Sequence, residues 1–582
     1  MNNRMSNSSL AKLLDPLDRL KTTFDSSSAK SKIRLVTRLR GIPIVKADQL
    51  ERFHELLCFL RAYPDSLALL EQVERQLIEF AGRIEKFKRH TGDDSASELA
   101  DSGIVGTSSS NTFSYDLTRT ISNWYPGSVD IDWEEYNQSD SANVLSFLPL
   151  LVAWQENDAF DNDPDFDPQS WLASAISQAR PTTLAVLLHL LARSQYDHAT
   201  ARALFENAQI PIKWTLTKSP ASRTLRRVPA HKLFFQSEPI KGRTRDLRTD
   251  LKRPARKLQK LSRQEGERLV RAIKEVLGVR VRELFPLIGS NPAEVYRYSP
   301  GRGIEIIVYG NNPEIRLPLE SNFGAMLIRN GIPVGYGVSA MLFDRAEIAI
   351  NIFPAFRSGE SSFIIESFFH LFVAHFGARV LLVRSYQVGD DNPEAIESGS
   401  FWFYYKLGFR PVKPRVRKLA DLEAAKLARK KGYRTPEPML KRLAKSDIFF
   451  TLDPAKSGEY TELSLANLGY AVGNYIRDRF HGDRTAAIEQ SVRGVAKTLK
   501  LTGISNWTES EKAALVRLAP LVCCISDLSK WSPADRKLLG QIVRAKGATG
   551  ERGYLLQALR HPRFERAMRS LAEVTQPPES VE

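Results

Sequence analysis

Apolar residues recur at spacings of three and four over the first ninety positions, with Leu50, Phe53, Leu56, Leu57 and Leu60 on one stripe and Leu69, Val73, Leu77 and Phe80 on another. That period predicts a helical unit over 1–90. From Thr91 to Ser122 the pattern lapses into Ser, Gly and Asp, which reads as a linker. Segment 123–212 holds an apolar run, Val144–Trp154, and a predicted helix, Trp171–Arg193. A helix from Gln264 to Phe285 then leads into strand-like runs. Ile304–Tyr309 and Ile315–Phe323 flank the turn Gly310–Pro313, and Phe323–Arg329, Ile332–Phe343 and Ala346–Phe353 follow. Asn330–Gly331 between two of these runs is a type I′ hairpin signal, so the last three form an antiparallel meander. Phe363–Phe376 is apolar on nearly all sides and predicts a buried helix, with Gly377 as its stop and Arg379–Tyr386 as a further buried strand. Strand, loop, helix and strand in that order make a crossover unit. From 413 to 582 the chain is again helical, over Ala420–Lys431, Leu463–Phe480, Thr485–Leu499, Glu509–Leu528 and Pro533–Ala545.

A chain of 582 residues exceeds what one core supports, so several domains are expected. The divisions are 1–90, 91–122, 123–212, 213–263, 264–412 and 413–582. No window approaches the ~18 apolar residues of a membrane span. The opening residues lack the apolar run of a secretory signal, and Cys58, Cys523 and Cys524 form neither a disulfide framework nor a zinc set. A cytoplasmic protein without membrane partner or metal is expected.

Charge changes this picture because it is unevenly spread. Of the net +16, Lys213–Arg263 holds sixteen Lys or Arg against three carboxylates, and Lys406–Arg434 holds eleven against two. Residues 128–168 carry eleven Asp or Glu and no Lys or Arg. The basic segment 213–263, with Pro229, Pro239 and Pro254, should be extended or disordered. It serves either as a nucleic-acid contact through counterion release or as a linker docked on the acidic region 128–168. The alternating carboxylates of Asp161–Asp167 fail the calcium-loop pattern, since Phe166 and Leu172 stand where Gly and Glu are required, and read as an exposed acidic loop.

The chemistry lies in the centre. The loop Ala355–Ser362 precedes a helix N-terminus, where free N–H groups favour phosphate. Further on stands Trp402–Phe403–Tyr404–Tyr405–Lys406–Leu407–Gly408–Phe409. Together with the strand end Ile352–Phe353–Pro354 and the Arg357-led loop, these pieces resemble the GNAT superfamily of N-acetyltransferases over about residues 300–412. The resemblance implies an α/β domain with a mixed, mainly antiparallel sheet and a buried phosphate-loop helix, flanked by helical regions. It implies acetyl-CoA or another acyl-CoA as acyl donor, held by Ile352 and Phe353 along its pantetheine arm and by Arg357, Ser358, Gly359, Ser361 and Ser362 at its pyrophosphate. It also implies Tyr404 as the acid that protonates the leaving thiolate. The chain departs from the family's loop in having Glu360 and Ser362 at the two small positions. It also lacks the two helices that usually follow the first strand.

Glu347, near the start of the third meander strand, is the carboxylate best placed by position to accept a proton from an acceptor amine. Its alternative is an edge-of-sheet charge, and that of Tyr404 is aromatic packing. Glu366, His370 and His375 read as helix and core residues with no third metal ligand at the right spacing. Two functions stand side by side. One is an acyl-CoA-dependent N-acyltransferase acting on an amine. The other is a catalytically degenerate scaffold that binds nucleic acid or an acidic partner through its basic segments.

Overall fold

The computed structural model describes residues 2–229, 232–282, 285–456, 458 and 460–575. The N-terminal helices Ser26–Arg40, Ala47–Ala62 (α1) and Leu67–Ile78 follow the predicted stripes. Asp25 and Ser66 cap two of them by accepting backbone N–H groups, and Leu50, Phe53, Leu57 and Leu60 are fully buried on α1. α1 ends at Tyr63, itself buried, and packs on the central sheet as well as on its helical neighbours.

The stretch 91–122 is more than a linker. Ile104 and Val105 are buried, Ser108–Asn111 forms strand β1, and Tyr115–Trp124 is a helix capped by Ser114. With β2 (Val129–Ile131) and β3 (Ile212–Thr215), β1 makes a small antiparallel sheet in the order β1-β3-β2, with its own core around Trp214, Leu187 and Phe205. The predicted helix Trp171–Arg193 is two helices, Pro168–Ser174 and Thr183–Arg193. Pro181 lacks the N–H that would continue a helix and its ring crowds the preceding turn, and Thr182 beside it caps the second.

The central sheet is built from β4 (Gln259–Lys260), β5 (Ser290–Gly301), β6 (Ile304–Asn311), β7 (Ser321–Arg329), β8 (Ile332–Leu342), β9 (Arg345–Ile352), β10 (Val380–Val383), β11 (Arg410–Pro411) and β12 (Ile448–Thr451). Its order is β11-β12-β10-β9-β8-β7-β6-β5-β4, antiparallel except for the β9–β10 pair. The meander and its turn stand as predicted, with Asn330 at φ 50° and Gly331 at φ 78°. Ile315–Phe323 is not a strand. Pro313–Ile315 is a 3₁₀ turn, and Arg316 is drawn onto the carbonyls of Lys546 and Thr549 at 2.9 and 3.0 Å, so β7 starts only at Ser321.

Helix α2 (Arg263–Gly278) leads into the sheet, and helix α3 (Ser361–Phe376) provides the β9–β10 crossover. Phe368, Phe369, Phe372 and Phe376 of α3 are fully buried, each worth ~2–3 kcal/mol of apolar transfer. Gly377, at φ 78°, ends the helix as expected.

Apart from the short helix Leu247–Leu251, the described residues of the basic segment 213–263 are mostly extended yet docked, and their carboxylate partners mostly lie outside 128–168. Arg223 and Arg227 pair with Glu55 and Glu74, Arg226 with Glu275, and the backbone N–H groups of Lys241 and Thr244 reach Glu360 and Glu366. Within the acidic region, Asp132 receives Lys213 at 3.4 Å. The predicted C-terminal helices are present between Pro414 and Lys546, joined by Glu551–Ala558 and Pro562–Val574; Pro414–Arg429 packs on the central core through Ala420, and those from Leu465 onward pack around Trp531, Leu539 and Met568. Among the described residues no helix is long and apolar enough to cross a membrane.

Candidate functional site

The site begins with a sheet that splays. β9 pairs with β8 along the whole length of β9, whereas β10 pairs with β9 only over Arg345–Glu347. β10 is four residues long and breaks into a 3₁₀ turn at Ser385, so the outer edge of β9 beyond Glu347 has no strand beside it. The opening is a cavity of about 360 Å³ whose walls include Tyr336, Ala349, Asn351, Tyr386 and Tyr404.

Tyr404 belongs to the short helix α4 (Ser400–Lys406), entered through Gly399 at φ 68°. Its ring packs on Phe403 and Phe409, centroids 5.3 Å away in both cases, and is only 4% exposed. Among the described residues its hydroxyl has no hydrogen-bond partner, and burial pushes its pKa well above the ordinary phenol value. A phenol so placed keeps its proton at neutral pH.

The loop after β9 is occupied by the protein itself. Ile352 and Phe353 are buried, and the Ile352 carbonyl accepts Arg357 Nε at 3.0 Å while the same guanidinium pairs with Glu394. Ser361 Oγ donates to the Arg357 carbonyl at 2.9 Å, so it does not cap the free N–H groups of α3. Ser358 is exposed and Ser362 half-buried. A Cβ on Gly359 would stand 2.5 Å from the Tyr63 ring, and the Tyr63 hydroxyl accepts the Glu360 N–H at 3.1 Å.

Glu360 points inward. Its fully buried carboxylate meets Arg302 at 2.7 Å, Arg329 at 3.2 Å and the Lys241 N–H at 3.2 Å. Arg329 also lies over the rings of Tyr63 and Phe234 and donates to Gln236 at 2.6 Å. The Glu360 charge is thus neutralised, yet the place where a pyrophosphate would approach Gly359 and Glu360 is filled by Tyr63. The loop residues therefore do not fit that group. No motif spacing could link Tyr63 to Gly359, since they lie almost three hundred positions apart.

Glu347 is held away from the cavity. Arg384 grips it at 2.7 Å and also binds Asp447 at 2.9 Å and Glu462 at 2.7 Å, a network that ties β9 and β10 to the C-terminal region. A carboxylate tied down in this way is not poised to take a proton from an amine. It is not an edge-of-sheet charge either, since Glu347 pairs with Ala340 of β8 on one side and Leu382 of β10 on the other.

His370 and His375 fasten the basic segment to α3. Their Nε2 atoms lie 2.9 Å from the Arg253 carbonyl and 2.8 Å from that of Arg256. Among the described residues no group of three His, Cys, Asp or Glu side chains could hold a metal ion.

A second cavity of about 570 Å³ adjoins the first, sharing Arg282, Asn351 and Glu394 with it and running past Phe353–Ala355. Its remaining walls come from α1, from Asp18 and Lys21, from Asp101 and Ser102, and from Arg223 and Arg280. Neither Arg280 nor Arg282 stood out in the sequence, because an isolated Arg after a helix carries no signature. No family model, curated protein or solved structure matches this chain.

Proposed function

We propose that this chain is an acyl-CoA-dependent N-acyltransferase of GNAT-like fold, taking its donor, acetyl-CoA or another acyl-CoA, between β9 and β10. One observation carries this reading. The sheet splays beyond Glu347 into a cavity with a buried, unpartnered phenol in its wall. In this reading the thioester arm would lie in the cavity, where the open edge of β9 offers backbone groups to its amides. When bound, the donor supplies a carbonyl carbon open to attack by an amine. Tyr404 holds a proton at its Oη, the atom available to the leaving sulfur, while its ring packs on Phe403 and Phe409.

Isothermal titration of the full chain with acetyl-CoA tests the reading. Saturable binding is expected, and Tyr404→Phe should leave it within twofold while lowering turnover on a panel of amines by ~10²-fold or more, the usual weight of a general acid. Loss of binding in Tyr404→Phe would assign the residue to packing.

The occupied loop favours a second reading, a GNAT-like scaffold without transfer activity whose basic segment meets nucleic acid. Absence of acetyl-CoA binding at millimolar ligand, with salt-sensitive nucleic-acid binding, would select it.

A further inference from the structure

The acyltransferase reading leaves the donor's diphosphate without a seat, because Tyr63 covers the loop that would carry it. The second cavity continues the thioester cleft, and the two share Arg282, Asn351 and Glu394. Most cations around it are already paired. Lys21 meets Asp18 at 2.8 Å, Arg52 meets Asp18 at 3.1 Å and Asp15 at 2.8 Å, and Arg223 is bound to Glu55.

Arg280 and Arg282 differ. Among the described residues neither has a carboxylate partner, and Arg280 is held only by a 3.0 Å bond to the Val276 carbonyl and by the face of Phe353 at 4.3 Å. Phe353 ends the strand along which the arm would lie. We propose that Arg280 and Arg282 form the diphosphate subsite of the donor, replacing the loop Arg357–Ser362; this rests on the acyltransferase reading.

Two guanidiniums present several donors at fixed angles, which suits tetrahedral phosphate oxygens. Burial, and then the guanidiniums of Arg223 and Arg61, push the Arg280 pKa well below the ordinary arginine value, so an anion beside it would relieve a repulsion already built into the fold. Asp48, Glu51 and Asp101 line the same cavity, as does Glu394, which pairs with Arg357, and these carboxylates oppose a bare anion. The subsite should therefore hold diphosphate when the thioester arm tethers it and take up free inorganic diphosphate poorly.

Titrations of the full chain with acetyl-CoA and with S-acetylpantetheine, which lacks the diphosphate together with the adenosine 3′-phosphate beyond it, test this. Acetyl-CoA should bind at least tenfold more tightly. Arg282 is exposed, so Arg282→Ala and Arg282→Glu should melt like the unchanged protein while removing about tenfold of acetyl-CoA affinity, the order of one charge-assisted contact, and none of the S-acetylpantetheine affinity. Ser358→Ala with Ser362→Ala should leave both affinities unchanged. Equal affinities for the two ligands would overturn the subsite and leave the acyltransferase reading standing, as would loss of the diphosphate increment in the serine variants. Binding of neither ligand would overturn both.

Discussion

Gly359 needs room rather than an unusual backbone angle. The Tyr63 ring lies where its Cβ would be, 2.5 Å away, so the one glycine of the loop serves a contact within the chain. Gly359→Ala is expected to lower stability by about 1–3 kcal/mol through overpacking, measured by urea unfolding. In a Tyr63→Leu background that penalty should largely vanish, and an unchanged penalty would show that the ring is not its cause. Glu360 makes a sharper case. Two guanidiniums and a backbone N–H converge on its buried carboxylate, so Glu360→Ala leaves Arg302 and Arg329 without their shared counter-charge. A loss of ~3–5 kcal/mol is expected from breaking a buried ionic cluster. A loss below about 1 kcal/mol would mean that water already screens it.

At the scale of elements, helix α3 and the basic segment act as one unit. Glu366 of α3 accepts the Thr244 N–H at 2.8 Å, and His370 and His375 take up two more positions along the segment. Burial, reinforced by Asp250, lifts Glu366 from 4.5 to about 7. The folded chain therefore retains a proton that the unfolded chain releases near 4.5, so this residue's contribution is fully present below about pH 4.5 and declines as pH rises to about 7. Glu366→Gln should flatten the fall in stability across that window, read by urea midpoints at several pH values. Glu294, lifted to about 7 by burial, contributes with the same sign and should leave a residual slope in the variant. An unchanged slope in Glu366→Gln would place the proton elsewhere.

Over the whole molecule, the basic segment joins the N-terminal helices to the central sheet and to α3 while leaving Arg243, Arg245, Lys252 and Arg253 exposed. If this chain meets nucleic acid, neutralising those four should weaken binding and reduce its salt slope, measured by titration at several salt concentrations. Salt-insensitive binding would count against a phosphate contact there.

Period and turn chemistry act between near neighbours, and what they control was legible along the chain. The type I′ turn at Asn330–Gly331, the apolar helix predicted over Phe363–Phe376 and its Gly377 stop follow from local preferences that tertiary packing did not override. The helical stripes of α1 and the C-terminal region are legible for the same reason. So is the aromatic run that places Tyr404, because its neighbours Phe403 and Phe409 pack on it directly.

The rest was decided by partners far apart in sequence. Whether Glu360 faces a ligand or two arginines, whether Glu347 is free or gripped by Arg384, and whether Gly359 makes room for phosphate or for Tyr63 depend on contacts that no period or motif encodes. Residues 104–111 pass for a linker by composition because small polar residues do not announce burial, yet the fold pairs β1 with a strand a hundred positions away. The basic segment is ordered in the same way, by carboxylates that approach it only once the sheet and helices have closed around it.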